Sequence, residues 1–271
     1  MKKRYLLPTI NILALSTAIL LVIIFVRYYE PTPKPVESNP QENQVVDDDV
    51  QDNNIEDNNM EENNEPLSES EKKPLEFVQS EKTYFDDAII IGDSRTVGIF
   101  EYGDMGGITF FASEGMSIYD IWEESVSIKG KGSTSLESVL KSFDYKKIYI
   151  MLGINELGYE QTKTVEKYKE TLDKLHEMRP DAIIYICSNL HVTATQSESN
   201  EIFNNRNIDK FNEQIKAFAD GETFFYLDVN QKFNDGAGNL GTEYTSDNVH
   251  ILAKYYVEWA DWFSQNTIVK E

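Results

Sequence analysis

The sequence predicts an α/β fold: a three-layer α/β/α sandwich on a five-stranded, mainly parallel sheet, behind a transmembrane helix and a disordered stem. Three observations predict it. Short apolar runs alternate with amphipathic helical stretches over residues 81–271, and those runs lack hydrophobic–polar alternation. A long apolar segment and then an acidic, apolar-poor one come before them.

Residues 1–29 carry four basic groups (Lys2, Lys3, Arg4, Arg27) and no acid. Behind the basic cluster runs Leu6 to Val26, with no polar side chain from Ala18 onward. At about 1.5 Å per helical residue it spans roughly 30 Å, the thickness of a bilayer core. Arg27-Tyr28-Tyr29-Glu30 follow, where a cleaved signal would want small residues. The expectation is therefore an uncleaved signal-anchor with its basic end cytoplasmic and the rest of the chain outside the membrane. A buried core helix and a cleaved signal are the alternatives. Residues 30–80 hold 15 acids against three lysines and almost no aromatic or clustered aliphatic residues before Phe77. Such a segment buries too little apolar surface to offset its chain entropy and reads as a disordered, self-repelling linker.

The domain at 81–271 opens with the run Ala88–Ile91, ended by Gly92. The runs 109–112, 147–152, 182–187 and 223–228 complete five strands covered on both faces. Helical stripes lie between and after them: Val165, Tyr168, Leu172 and Leu175; Ile208, Phe211, Ile215 and Phe218; and Tyr255, Tyr256, Trp259 and Phe263. Lys129-Gly-Lys-Gly-Ser133 lacks phosphate-loop spacing, follows no strand, and reads as a flexible loop.

Composition narrows the function. A formal net charge of −22 repels phosphate backbones, so no nucleic-acid partner is expected. A lone cysteine, Cys187, excludes an intrachain disulfide and a cysteine-based zinc cluster. No metal-ligand constellation occurs in the sequence, and no cofactor is expected.

In open parallel sheets active sites lie beyond the carboxyl ends of the strands. Those ends carry Gly92-Asp93-Ser94-Arg95, Ser113-Glu114-Gly115-Met116, Gly153-Ile154-Asn155-Glu156 and Ser188-Asn189-Leu190-His191, and Asp247-Asn248-Val249-His250 precedes the last helix. Those parts suffice for acyl transfer. Ser94 is the candidate nucleophile and needs a base; His250 is that base, and Asp247 holds the imidazole. The backbone N–H of Ser94, that of Gly115 and the Asn155 amide can form an oxyanion hole. Gly92-Asp93-Ser94 alone also fits a capped strand-to-helix turn. His191 is a further candidate for lining the site, and the polar stretch 190–206 for a carbohydrate-facing rim.

Gly92-Asp93-Ser94, Gly115, Gly153-x-Asn155 and Asp247-x-x-His250 resemble the four ordered blocks of the SGNH/GDSL hydrolases, over roughly residues 86–265. The resemblance implies a flavodoxin-like sandwich and a serine esterase or acyltransferase. It also implies Ser94 as nucleophile, Gly115 and Asn155 as oxyanion donors, and Asp247 and His250 completing the triad. Arg95 stands where the name motif has leucine, and Glu156 where aspartate is usual. The expected substrate is an acylated carbohydrate or small ester of the cell envelope, the enzyme being held at the membrane. A lone anchor cannot carry an acyl donor across a bilayer, which favours hydrolysis over O-acetyl transfer unless a membrane partner supplies the group. A non-catalytic wall-binding module is the third reading.

Overall fold

The computed structural model describes residues 75–128, 130 and 132–270. The anchor read at 1–29 and the linker up to residue 74 lie outside the described residues. Among those described, no helix is long and apolar enough to cross a membrane.

The first half of the domain runs β1 (Ala88–Gly92), α1 (Ser94–Tyr102), β2 (Thr109–Ala112), β3 (Ser125–Ile128), β4 (Gly132–Ser135), α2 (Leu136–Ser142) and β5 (Lys147–Met151). The second runs α3 (Gln161–Met178), β6 (Ile183–Cys187), α4 (Ala194–Ser199), α5 (Asn205–Lys216), β7 (Phe224–Leu227), α6 (Asn230–Phe233) and α7 (Tyr256–Ser264). β2, β1, β5, β6 and β7 form one sheet in that order, every pair parallel. The chain leaves β1 for one edge and then crosses back to build the other half. The order reverses between β1 and β5, which opens a crevice at their carboxyl ends. Gly92 pairs with Met151 there, so the Ser94 turn and the Asn155 turn leave adjacent strands side by side.

The strand sequences explain the layers. Successive residues point to opposite faces, so a strand covered on both sides is apolar throughout. Ile89, Ile91, Ile148, Ile150, Ile184 and Ile186 face Leu140 of α2, Leu172 of α3 and Ile215 of α5. Ile90, Tyr149, Met151, Tyr185 and Cys187 face Ile99 of α1, Phe233 of α6 and Trp259 of α7.

Two segments differ from the sequence reading. Residues 75–80, read with the linker, belong to the domain edge: Val78 and Thr267 exchange backbone hydrogen bonds of 2.8 and 3.0 Å, and Phe77 packs edge-on against Phe225. Leu75, Phe77 and Val78 supply apolar contacts that the acids around them obscure in composition. The stretch 129–133, read as a flexible loop, contains the start of β4, which pairs antiparallel with β3. Val126 and Ile128 are buried between exposed Ser125 and Ser127, a two-residue period diluted by serine and glycine.

Trp259 is fully buried, with its ring against Tyr256 and Phe233. Trp259→Ala should lower stability by about 3–5 kcal/mol through the cavity it leaves. Val257→Ala, at an exposed position of the same helix, should stay within about 0.5 kcal/mol of wild type. Urea denaturation of both variants checks the contrast.

Candidate active site

Asp93 caps α1, its Oδ1 accepting from the Arg95 N–H at 3.0 Å. Ser94 is thereby the first residue of the helix, where a backbone N–H has no partner within the helix and the dipole is positive. Its hydroxyl lies 3.1 Å from Nε2 of His250, although 156 residues separate the two.

His250 belongs to a loop that folds around one carboxylate. Oδ1 of Asp247 accepts from the backbone N–H of Val249 at 2.9 Å, that of His250 at 2.8 Å and the Thr245 hydroxyl at 3.1 Å. Oδ2 meets Nδ1 of His250 at 2.8 Å. Partial burial would raise the Asp247 carboxyl, but hydrogen bonds from the His250 N–H, the His250 ring and the Val249 N–H outweigh it and hold the group down at about 2. The turn depends on Asn248 at φ 70°, a left-handed conformation that asparagine tolerates. Thr193 secures it: its N–H donates to the Asn248 carbonyl at 3.1 Å and its hydroxyl to Asn248 Oδ1 at 3.0 Å.

The opposite wall comes from the segments after β2 and β5. Gly115 adopts φ 74° beside open space. Among the described residues neither its N–H nor that of Ser94 has a hydrogen-bond partner. Asn155 gives one amide hydrogen to the Met116 carbonyl at 3.1 Å, which fixes the side chain and leaves the other hydrogen available. Gly153 starts this turn at φ 115°, where a Cβ would fall 2.1 Å from the Phe211 ring. Glu156 is buried and accepts from the Ile118 N–H at 2.7 Å, so it ties the two segments of this wall together. Burial pushes its carboxyl up, against hydrogen bonding from Ser117 and Ile118.

His191 makes no hydrogen bond to the triad residues among the described residues. Its ring is buried, with Nε2 bonded to Asp209 at 2.7 Å. Its strand-end position carried the expectation, but Leu190, Val192 and Thr193 are buried too, so the first part of the 190–206 stretch is structural and not a rim. Three asparagines unremarked in the sequence brace it: Asn212 accepts from the Asn189 N–H, Asn230 from the His191 N–H and Asn205 from the Val192 N–H, at 2.7–2.8 Å. Cys187 is buried in the core and burial pushes its thiol up, so it offers no nucleophile. Among the described residues no cluster of His, Cys, Asp or Glu could hold a metal ion.

The arrangement thus aligns a hydroxyl, an imidazole and a carboxylate in series, and the turns after the neighbouring strands β1, β2 and β5 carry the Ser94 and Gly115 N–H groups and the Asn155 amide. The model of the GDSL-like lipase/acylhydrolase family matches residues 90–256, which contain all of these groups. The chain belongs to that family. It is an ester-bond hydrolase by that membership. Solved structures share the fold at low identity. A GDSL-like lipase from Bacteroides thetaiotaomicron VPI-5482 has a TM-score of 0.50 at 15% identity, over 69% of this chain and 90% of its own. The acetyl xylan esterase AlAXEase has a TM-score of 0.50 at 18% identity, over 65% of this chain and 97% of its own. No curated protein matches the sequence.

Glu156 yields a test of how the segments after β2 and β5 are joined. A raised pKa means that the folded state holds the proton more tightly than the unfolded chain does. Glu156 therefore favours folding below the ordinary glutamate range, and that contribution is lost as pH rises. Glu156→Gln keeps an acceptor for Ile118 and should match or exceed wild type in stability at pH 7. Glu156→Ala leaves the Ile118 N–H unpaired and should cost about 1–3 kcal/mol. Urea midpoints at pH 4 and pH 7 separate the two effects.

Proposed function

We propose that this chain is a serine esterase that removes O-acyl groups, chiefly O-acetyl, from carbohydrates of the cell envelope or its surroundings. The observation that carries the reading is the unbroken Asp247–His250–Ser94 series, with contacts of 2.8 and 3.1 Å, at the switch point of the sheet. Ser94 Oγ attacks the ester carbonyl as His250 Nε2 takes its proton. Asp247 holds the tautomer that leaves Nε2 free and stabilises the imidazolium. Negative charge on the tetrahedral intermediate falls to the N–H groups of Ser94 and Gly115 and the Asn155 amide. His250 then protonates the departing sugar oxygen, and water, activated by the same imidazole, releases the acid from Ser94.

Two features support a sugar ester with a short acyl group. Beside Asn155, Tyr159 is largely exposed with its ring 5.7 Å from Tyr119, and exposed Ile202 approaches Gly158. Leu157 and Val249, next to Gly158 and His250 in sequence, both pack against one small cluster of Ile154, Val192 and Ile208. An exposed aromatic face suits the C–H face of a pyranose ring. A groove of about 540 Å³ on the flank of α1 and β2 is lined by Val97, Phe100, Phe110 and Val126, but by none of the triad or oxyanion residues. It gives a long acyl chain no direct seat at the reacting carbonyl. The likeness to an acetyl xylan esterase agrees with this reading.

The test is acetate release from O-acetylated oligosaccharides by the full-length chain, with transfer to an unacetylated glycan measured in parallel. Release to water should dominate. Ser94→Ala should lose about 10⁴-fold or more in kcat, and Asn155→Ala about 10²–10³-fold. Equal inactivity of wild type and Ser94→Ala would favour a binding module. Because Asp247 stays ionised down to about pH 2, the acid limb of kcat/KM should follow a single proton, that of the imidazole. A profile that stays flat down to pH 4 would contradict the assigned roles.

A further inference from the structure

Arg95 replaces the leucine of the family's name motif directly after the nucleophile, and its side chain is 1% exposed. A buried guanidinium is costly unless its surroundings compensate it. Asp93, itself fully buried, carries the nearby opposite charge. Yet Arg95 Nη1 and Asp93 Oδ2 have no hydrogen-bond partner among the described residues, so the pair is not a saturated internal network. The directed contact runs elsewhere: Nη2 donates to the backbone carbonyl of Val249 at 3.4 Å, long for a hydrogen bond but made by a charged donor. Val249 immediately precedes His250.

The loop that carries His250 is exposed, and much of its bonding is to itself: the Asp247 carboxylate inside it and a bridge from Thr245 to Ile251. Thr193 fastens it to the segment after β6. Arg95 fastens it to α1, the helix that starts at Ser94. The Val249 contact therefore joins the nucleophile's helix to the acid–base loop directly.

We propose that Arg95 is a positioning residue that clamps the His250 loop onto the first turn of α1 through the Val249 carbonyl, with Asp93 as its counter-charge, and so sets the hydroxyl–imidazole distance. A leucine there packs but cannot hold a carbonyl. This inference rests on the catalytic reading of Ser94 and His250.

The experiment compares full-length wild type, Arg95→Leu and Arg95→Lys by the rate of fluorophosphonate labelling at Ser94, by kcat and KM on a small acetyl ester, and by the downfield proton signal of His250 Nδ1. Labelling of wild type at Ser94 tests the catalytic reading separately. Given that labelling, Arg95→Leu should label at least 10-fold more slowly and lose a similar factor in kcat, with KM within twofold and the His250 signal broadened. Arg95→Lys should recover part of the loss. If Arg95→Leu alone does not fold, Asp93→Asn/Arg95→Leu removes the stranded buried charge while keeping a capping oxygen, and it should show the same kinetic loss. Lower thermal stability with wild-type labelling, kcat and His250 signal would overturn the proposal, because a purely structural arginine predicts that result.

Discussion

The Asp247 carboxylate is the point on which the site depends. One of its oxygens gathers two backbone N–H groups and a hydroxyl, and the other meets the imidazole. The loop from Thr245 to His250 has no regular secondary structure, so this carboxylate stands in for a helix or sheet ladder in satisfying its backbone. The same bonds keep the group ionised far below neutral pH, so the negative charge that orients the imidazole is present throughout the working range. Local folding and chemistry therefore rest on one set of contacts.

The sheet supplies the rest by topology. Reversal of strand order between β1 and β5 brings the Ser94 and Asn155 turns side by side, and β2 delivers Gly115 from the adjacent edge. Buried polar side chains brace these segments: Glu156 joins the segment after β5 to that after β2, and Asn205, Asn212 and Asn230 support the segment after β6. Each such bond satisfies a backbone N–H that would otherwise be left unpaired away from water. Rigid support behind exposed reactive groups is what a preorganised oxyanion site requires.

Much of this was legible in the sequence, and the parts that were not share a cause. The strands declared themselves because isoleucine and aromatic runs covered on both faces have few other uses. Ser94 was legible as the residue after a strand end, where chemistry collects in such a sheet, and Asp247 and His250 as a carboxylate and an imidazole three residues apart; the three meet in one hydrogen-bonded series. The hairpin of β3 and β4 was hidden by serine, glycine and lysine, whose composition suits a loop equally well. The asparagine braces were hidden because an amide on a helix looks the same in sequence whether it faces water or a neighbouring backbone. His191 misled for the converse reason: its partner Asp209 lies 18 residues away, and nothing local reveals that the ring is occupied.

The central claim is that the hydroxyl, the imidazole and the three N–H donors converge on one carbonyl. A crystal structure of the full chain after reaction with a fluorophosphonate tests it most directly. The account predicts phosphorus bonded to Ser94 Oγ, and a phosphoryl oxygen within about 3 Å of the Ser94 and Gly115 nitrogens and of Asn155 Nδ2. An adduct on another side chain, or a phosphoryl oxygen turned away from those donors, would contradict it.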